Sequence, residues 1–337
     1  MSKVDDETIP DSYRYHWTPK SDVPLKDFLT KFRPSMVEND GTKPWIWVQG
    51  AESKVVPDHH TGEIAAIEEA SKLLEEVTAR IEEIKNDASI PLRSNKKTGA
   101  KSKKEVREQV QAEAVAKLKE IALKHKYVVG KWLIFAPHDK VDSIWSSLAT
   151  SLVEGPIAET KAFLAKVATS HPGDNPNQQH VICLYIPDVY DKDSATSIMR
   201  VLLRSHGFSL SGVKSDLFTL IGIDSKHPSG IPSTIWKNSA LMKDSEIKEL
   251  REAHFAELNS KPAVSVEEPQ EKEKSLEDPT AAKSKAKTKP KSKKRKDDPF
   301  ESDNDDNDDS KAQTKKRPNQ SNSDDEEQPR KKQVKGD

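Results

Sequence analysis

Cysteine occurs once in the 337 residues, at Cys183, so no internal disulfide framework forms and a reducing compartment is expected. No run approaches the roughly 18 apolar residues of a membrane span. The segment from Met1 to Pro10 is acidic without an apolar centre, so a secretory leader is not expected either. A charge excess is missing too: 55 Lys+Arg against 56 Asp+Glu leave a net charge of −1. Any pull on nucleic acid must therefore be local. Aromatic residues run out late in the chain. All six tryptophans (Trp17, Trp45, Trp47, Trp132, Trp145, Trp236) and all five tyrosines precede residue 240. Beyond Pro262 the large apolar residues are Val264, Val266, Leu276, Phe300 and Val334. Ordering backbone costs about 1–2 kcal/mol per residue. Residues 261–337 cannot offset that cost and are expected to be a disordered, mixed-charge tail.

Signatures of catalysis are absent as well. The chain has no G-x-x-x-x-G-K-[ST], no G-x-G-x-x-G after a strand, no Cys pair, no H-E-x-x-H and no G-x-S-x-G. His59 and His60 are adjacent, and neighbouring side chains diverge too far to share a metal easily, so neither metal nor cofactor is expected. Cys183 lies between Ile182 and Leu184 and reads as a buried, inert thiol. An enzyme would need a pocket built from distant residues such as His138, Asp139, His180 and Asp188. The expectation is a noncatalytic protein.

Periodicity supplies the fold. Residues 1–40 read as an extended arm that docks through Tyr13, Tyr15, Trp17, Leu25, Phe28 and Leu29. The remainder of the ordered chain, 41–260, reads as one α+β domain. Pro44-Trp-Ile-Trp-Val48 and Gly130-Lys-Trp-Leu-Ile-Phe135 read as strands. Residues 161–169 and 180–186 read as an antiparallel pair, and 217–223 as a further strand. Apolar residues at three- and four-residue spacings predict helices over 63–85 and 105–124, a charged excursion 63–124 between strands. Further helices are predicted with Ile144, Trp145, Leu148 and Leu152 on an inner face and a stop at Gly155-Pro156, from Asp193 as N-cap to Gly207, and over 244–258 with Ile247, Leu250, Phe255 and Leu258 apolar. Strands and helices mix without βαβ alternation, which favours a mainly antiparallel sheet with helices on one face.

Basic residues are the functional candidates. Lys96, Lys97, Lys101, Lys103 and Lys104 form either a solvated linker or a cationic border to the sheet. If Phe163, Ala165 and Val167 face the core, Lys166 points to the opposite sheet face. An anionic ligand could dock there, with Lys161 on the same strand and His180 on the next; a snorkelling surface lysine is the equal alternative. In the tail, Lys289, Lys291, Lys293, Lys294, Arg295 and Lys296 form a dense cluster. Lys316-Arg317 and Arg330-Lys331-Lys332 have the layout of a two-part nuclear import signal. Nonspecific RNA contact and solubilisation are the competing readings. Ser302, Ser321 and Ser323 each have an acidic residue three positions on, which suits acidophilic kinases. Partners are expected to be RNA or a nucleotide, or proteins bound by the tail or the helical excursion, and the chain is read as a nuclear and cytoplasmic monomer.

Gly130-Lys-Trp-Leu-Ile-Phe135, followed by Ile144-Trp145, Leu148 and Leu152-Val-Glu-Gly155, resembles the 4E-type cap-binding translation initiation factors. Pro44-Trp-Ile-Trp47 is similar to that family's first strand. From about residue 40 to 258 the chain more closely resembles the basophilic-leukaemia-expressed (Bles) family, including Lys214-Ser-Asp-Leu-Phe-Thr-Leu220. The resemblance implies a 4E-like fold, a curved antiparallel sheet with helices behind and a concave ligand face in front. It implies core packing for Trp45, Trp47, Trp132 and Trp145, and places Lys166 and His180 roughly where the family binds phosphate. It does not imply cap binding. The family's two stacking tryptophans would fall in 55–62 and 118–127, and neither stretch contains Trp. His59, His60 or Tyr127 would be weaker stacking planes.

Overall fold

In the computed structural model, residues 9, 13–51, 62–170, 173 and 179–260 are described. His59, His60, the tail lysines and arginines, and Ser302, Ser321 and Ser323 lie outside the described residues.

Six strands form one sheet: β1 (His16–Trp17), β2 (Trp45–Gln49), β3 (Gly130–Pro137), β4 (Leu164–Ala168), β5 (Gln179–Ile186) and β6 (Leu210–Ser215). Their order is β1-β2-β4-β5-β3-β6, antiparallel except where β1 pairs with β2. Helices α1 (Leu25–Lys31), α2 (Glu63–Asn86), α3 (Lys103–Lys124), α4 (Val141–Glu154), α5 (Lys192–Arg204), α6 (Asp216–Leu220), α7 (Asn238–Leu241) and α8 (Asp244–Ser260) complete the described residues. None of the described helices is long and apolar enough to cross a membrane.

Alternation decides what each face of the sheet does. Ile46, Val48, Trp132, Ile134, Ala165, Val167, Ile182, Leu184 and Val213 point to one side. There they share a core with Phe28, Trp145, Leu148, Leu152, Ile198 and Leu202 from α1, α4 and α5. Each fully buried aliphatic side chain contributes about 1.5–3 kcal/mol. The result is an α+β fold with a mixed, mainly antiparallel sheet backed by helices. The β4–β5 pairing is antiparallel, as the sequence predicts. The arm docks through Trp17, Phe28 and Leu29, all buried, and Trp17 Nε1 donates to Val23 O at 2.9 Å.

Glycine marks two close approaches. A Cβ at Gly130 would sit 2.6 Å from Lys214 O, so only glycine lets β3 meet β6 there. Gly212, at φ +137°, lies where the β3–β6 register shifts, opposite Leu133.

Four expectations need correction. Residues 217–223 are not a strand: β6 ends at Ser215 and α6 follows. Leu217 and Phe218 are consecutive and both buried, which a half-exposed strand cannot arrange but a helical turn can. The N-cap of α5 is Asp191, which accepts from Ser194 N at 3.0 Å, not Asp193. Phe163 does not face the helix-backed core, because the pleat begins only at Leu164 and its ring packs on the other face with Tyr185. Phe255 and Leu258 of α8 stay exposed, while Ile247 and Leu250 pack on the core.

Helices α2 and α3, the charged stretch between β2 and β3, carry a core of their own. Leu74, Val77, Ile81, Ala114, Leu118 and Ile121 enclose a second core with Leu217, Phe218, Ile223 and Ile231. A capping box between Ser102 and Glu105 starts α3. Replacing 63–124 with a short flexible linker should therefore abolish the cooperative thermal transition followed by circular dichroism; an unshifted midpoint would show the pair to be dispensable.

His206 ties α5 to α4, with Nδ1 3.1 Å from Ser147 Oγ and Nε2 2.9 Å from Ser151 Oγ. Burial, with His254 adding to it, pushes its pKa down to about 4. The unfolded chain binds the proton nearer pH 6.5, so stability is complete above that value and falls between about pH 6.5 and 4. Urea midpoints should decline over this window, and His206→Asn should flatten the decline. An identical slope in the variant would assign the loss to other groups.

Candidate functional site

The sheet face away from α4 and α5 carries the candidate site. Trp47, Leu133, Cys183 and Tyr185 are buried on it, with Trp45, Phe135, Leu164 and Val181 half-buried around them. Tyr13 of the arm reaches this side and donates its hydroxyl to Trp45 O at 2.6 Å.

Lysines are interleaved with these rings. Register places Lys166 of β4 opposite Trp47 of β2 and Cys183 of β5. Its Nζ lies 4.3 Å from the Trp45 ring centroid, 4.7 Å from Trp47 and 5.6 Å from Tyr185. These distances fall within cation–π range. Trp47 and Tyr185 stack with centroids 6.0 Å apart at 26°. Lys131 of β3 lies opposite Tyr185, with Nζ 5.2 Å from that ring. It forms a buried ion pair with Asp216 Oδ1 at 2.9 Å. Lys214 of β6 lies directly across from Lys131 and is half-buried. Burial, reinforced by the Lys131 charge and opposed by Asp224, Asp216 and Cys183, lowers its pKa from the ordinary lysine value.

The sequence-derived site residues do not converge. Lys166 does point away from the helix-backed core, but it is 3% exposed and held by aromatic rings, so it is not a free surface cation. Lys161 precedes β4 and is exposed, paired with Asp191 at 2.7 Å. That bond raises the lysine's pKa and lowers the carboxylate's. His180 shares the parity of Ile182 and Leu184, so it lies on the opposite sheet face from Lys166. Its Nδ1 donates to Ala168 O at 2.8 Å, which leaves Nε2 to accept from His138 Nδ1 at 3.0 Å. Tyr127 belongs to the core beneath α2 and α3 and is 5% exposed.

Other groupings separate as well. Asp188 lies beyond the end of eight-residue β5 and His180 near its start, roughly 25 Å apart along the strand. The four polar residues an enzyme would need therefore do not meet. Lys96, Lys97 and Lys101 are exposed between α2 and α3, about 33 Å along α3 from the point where it leads into β3. Among the described residues no group of three or more His, Cys, Asp or Glu is placed to hold a metal ion.

Sequence reasoning missed Lys131, Lys214 and the role of Trp45 and Trp47. Strand alternation around Trp132 and Val213 could have found the lysines. The two indoles are not part of the helix-backed core: Ile46 and Val48 take that side, which sends Trp45 and Trp47 to the face of Lys166.

If the indoles hold the ammonium, Lys166 and Trp47 should be energetically coupled. A double-mutant cycle with Lys166→Met and Trp47→Leu, read by urea unfolding, should give a coupling of about 1–2 kcal/mol. Additive losses would sink that account.

No curated protein matches the chain. The family model described as basophilic leukemia-expressed protein Bles03 matches residues 3–215, from the start of the arm to the end of β6. That span is well over half of the 337 residues and takes in every aromatic ring and lysine just described, so the chain belongs to the Bles03 family.

Proposed function

We propose that this is a noncatalytic binding protein with a 4E-like fold, whose aromatic and cationic sheet face takes phosphate-bearing partners, RNA or a nucleotide. The observation that carries the reading is that β4, β3 and β6 bring Lys166, Lys131 and Lys214 onto one face beside Trp45, Trp47 and Tyr185. Lysines meet phosphates, and aromatic rings stack bases without regard to sequence. Half-exposed Trp45 and Lys214 are the points of entry. A methylated, cationic base is disfavoured, because the Lys166 ammonium already stands against both indoles.

Tail residues extend the proposal. The basic cluster 289–296 and the pairs at 316–317 and 330–332 would serve nuclear import and add nonspecific affinity. Phosphorylation at Ser302, Ser321 or Ser323 would weaken both.

Self-filling of the aromatic box favours a second reading, in which the face is vestigial and the protein is an interaction scaffold that recruits partners through 63–124 or the tail. Equilibrium binding of a fluorescent single-stranded RNA separates the two. Under the first reading log affinity falls linearly with log salt, and Lys214→Gln flattens the slope by about 0.7. Absent or salt-independent binding leaves the scaffold.

A further inference from the structure

Two lysines face each other across the β3–β6 ladder, and their surroundings differ. Lys131 takes Asp216 at 2.9 Å, with both side chains 5% exposed. Lys214 stands opposite Lys131 in register, and its ammonium makes no ion pair or hydrogen bond among the described residues. Lys214 is half-buried rather than enclosed, unlike Lys131. The charged groups that act on it are Lys131 from β3, Cys183 from β5, Asp216 at the start of α6, and Asp224 beyond it. A desolvated lysine beside a second cation is how proteins make an amine nucleophilic at neutral pH.

We propose that Lys214 is a reactive amine that captures small aldehydes reversibly as imines on this sheet face. The neutral Nζ attacks the carbonyl carbon and forms a C–N bond, and one proton passes from the nitrogen to the carbonyl oxygen. The carbinolamine then loses that hydroxyl with the nitrogen's second proton as water, and a C=N bond replaces the C=O bond. No electrons are exchanged, so neither oxidant nor reductant is required. Lowering of the Lys214 pKa by burial and by Lys131 increases the share of free amine. Each unit of depression raises that share about tenfold at pH 7. The proposal is independent of RNA binding, since it needs only the amine and its neighbours.

Pyridoxal 5′-phosphate is a suitable probe for the full chain, because borohydride reduction fixes its imine as a stable mass increment. Peptide mass spectrometry at limiting probe should find Lys214 labelled faster than the median lysine. Its labelling should rise with pH at a midpoint below that of exposed lysines. A neutral aldehyde, propionaldehyde with cyanoborohydride, should show the same preference, which separates amine reactivity from phosphate attraction. Lys131→Arg should keep the preference, and Lys131→Met should slow labelling of Lys214 toward the median. Because Lys131→Met strands the buried Asp216 carboxylate, the pH profile of the unaltered protein decides the matter if that variant does not fold. Uniform labelling, a Lys214 midpoint equal to that of exposed lysines, or preference for the phosphate-bearing probe alone would overturn the proposal.

Discussion

Burying an ammonium group costs several kcal/mol unless other charge or polarisable surface replaces its water. This constraint organises the sheet face opposite α4 and α5. Lys166 and Lys131 are 3% and 4% exposed, yet both must remain soluble in protein. Lys166 meets the cost with indole and phenol faces; desolvated cation–π contacts are worth about 2 kcal/mol. Lys131 meets it with Asp216 and Tyr185. Tyr185 serves both lysines and stacks on Trp47, so one ring links the two arrangements. Changing any of these residues changes the electrostatic problem of the others.

Much of the architecture was legible because it rests on local periodicity. Helices α2 to α5 declare themselves through apolar spacing, and the β4–β5 antiparallel pair through strand runs separated by a Pro/Gly-rich loop. Residues 217–223 misled because two adjacent core residues, Leu217 and Phe218, look strand-like by composition. Their burial is decided by the second core under α2 and α3, a contact more than 90 residues away in the chain. Tertiary context outvoted local preference. The docked arm was legible through its aromatic cluster, but the β1–β2 parallel pairing was not.

The candidate site was legible only in part, and the reason is register. Sequence gives the parity of each strand but not which parities share a face. Lys166 was correctly aimed away from Ala165 and Val167, while His180 was set beside it although β5 sends that ring to the helix side. Trp45 and Trp47 were read as core, whereas alternation turns them from the helix-backed core to the face of Lys166. They are plates of a kind, holding the chain's own cation. Lys131 and Lys214 escaped notice because each sits beside an obvious core residue, Trp132 or Val213, that drew the strand assignment.

A filled aromatic box bears on how such a face could evolve. An open pair of indoles would attract any soft cation, and the resident ammonium removes that affinity without emptying the space. It also turns the face from one that selects cations into one carrying fixed positive charge beside aromatic surface. Selectivity would then rest with Lys214 and Trp45, the members that solvent reaches, while Lys166, Lys131 and Tyr185 hold the framework. Side chains that contact a ligand and side chains that keep the face folded would thus be different residues on the same strands, which lets the rim vary without loss of the fold.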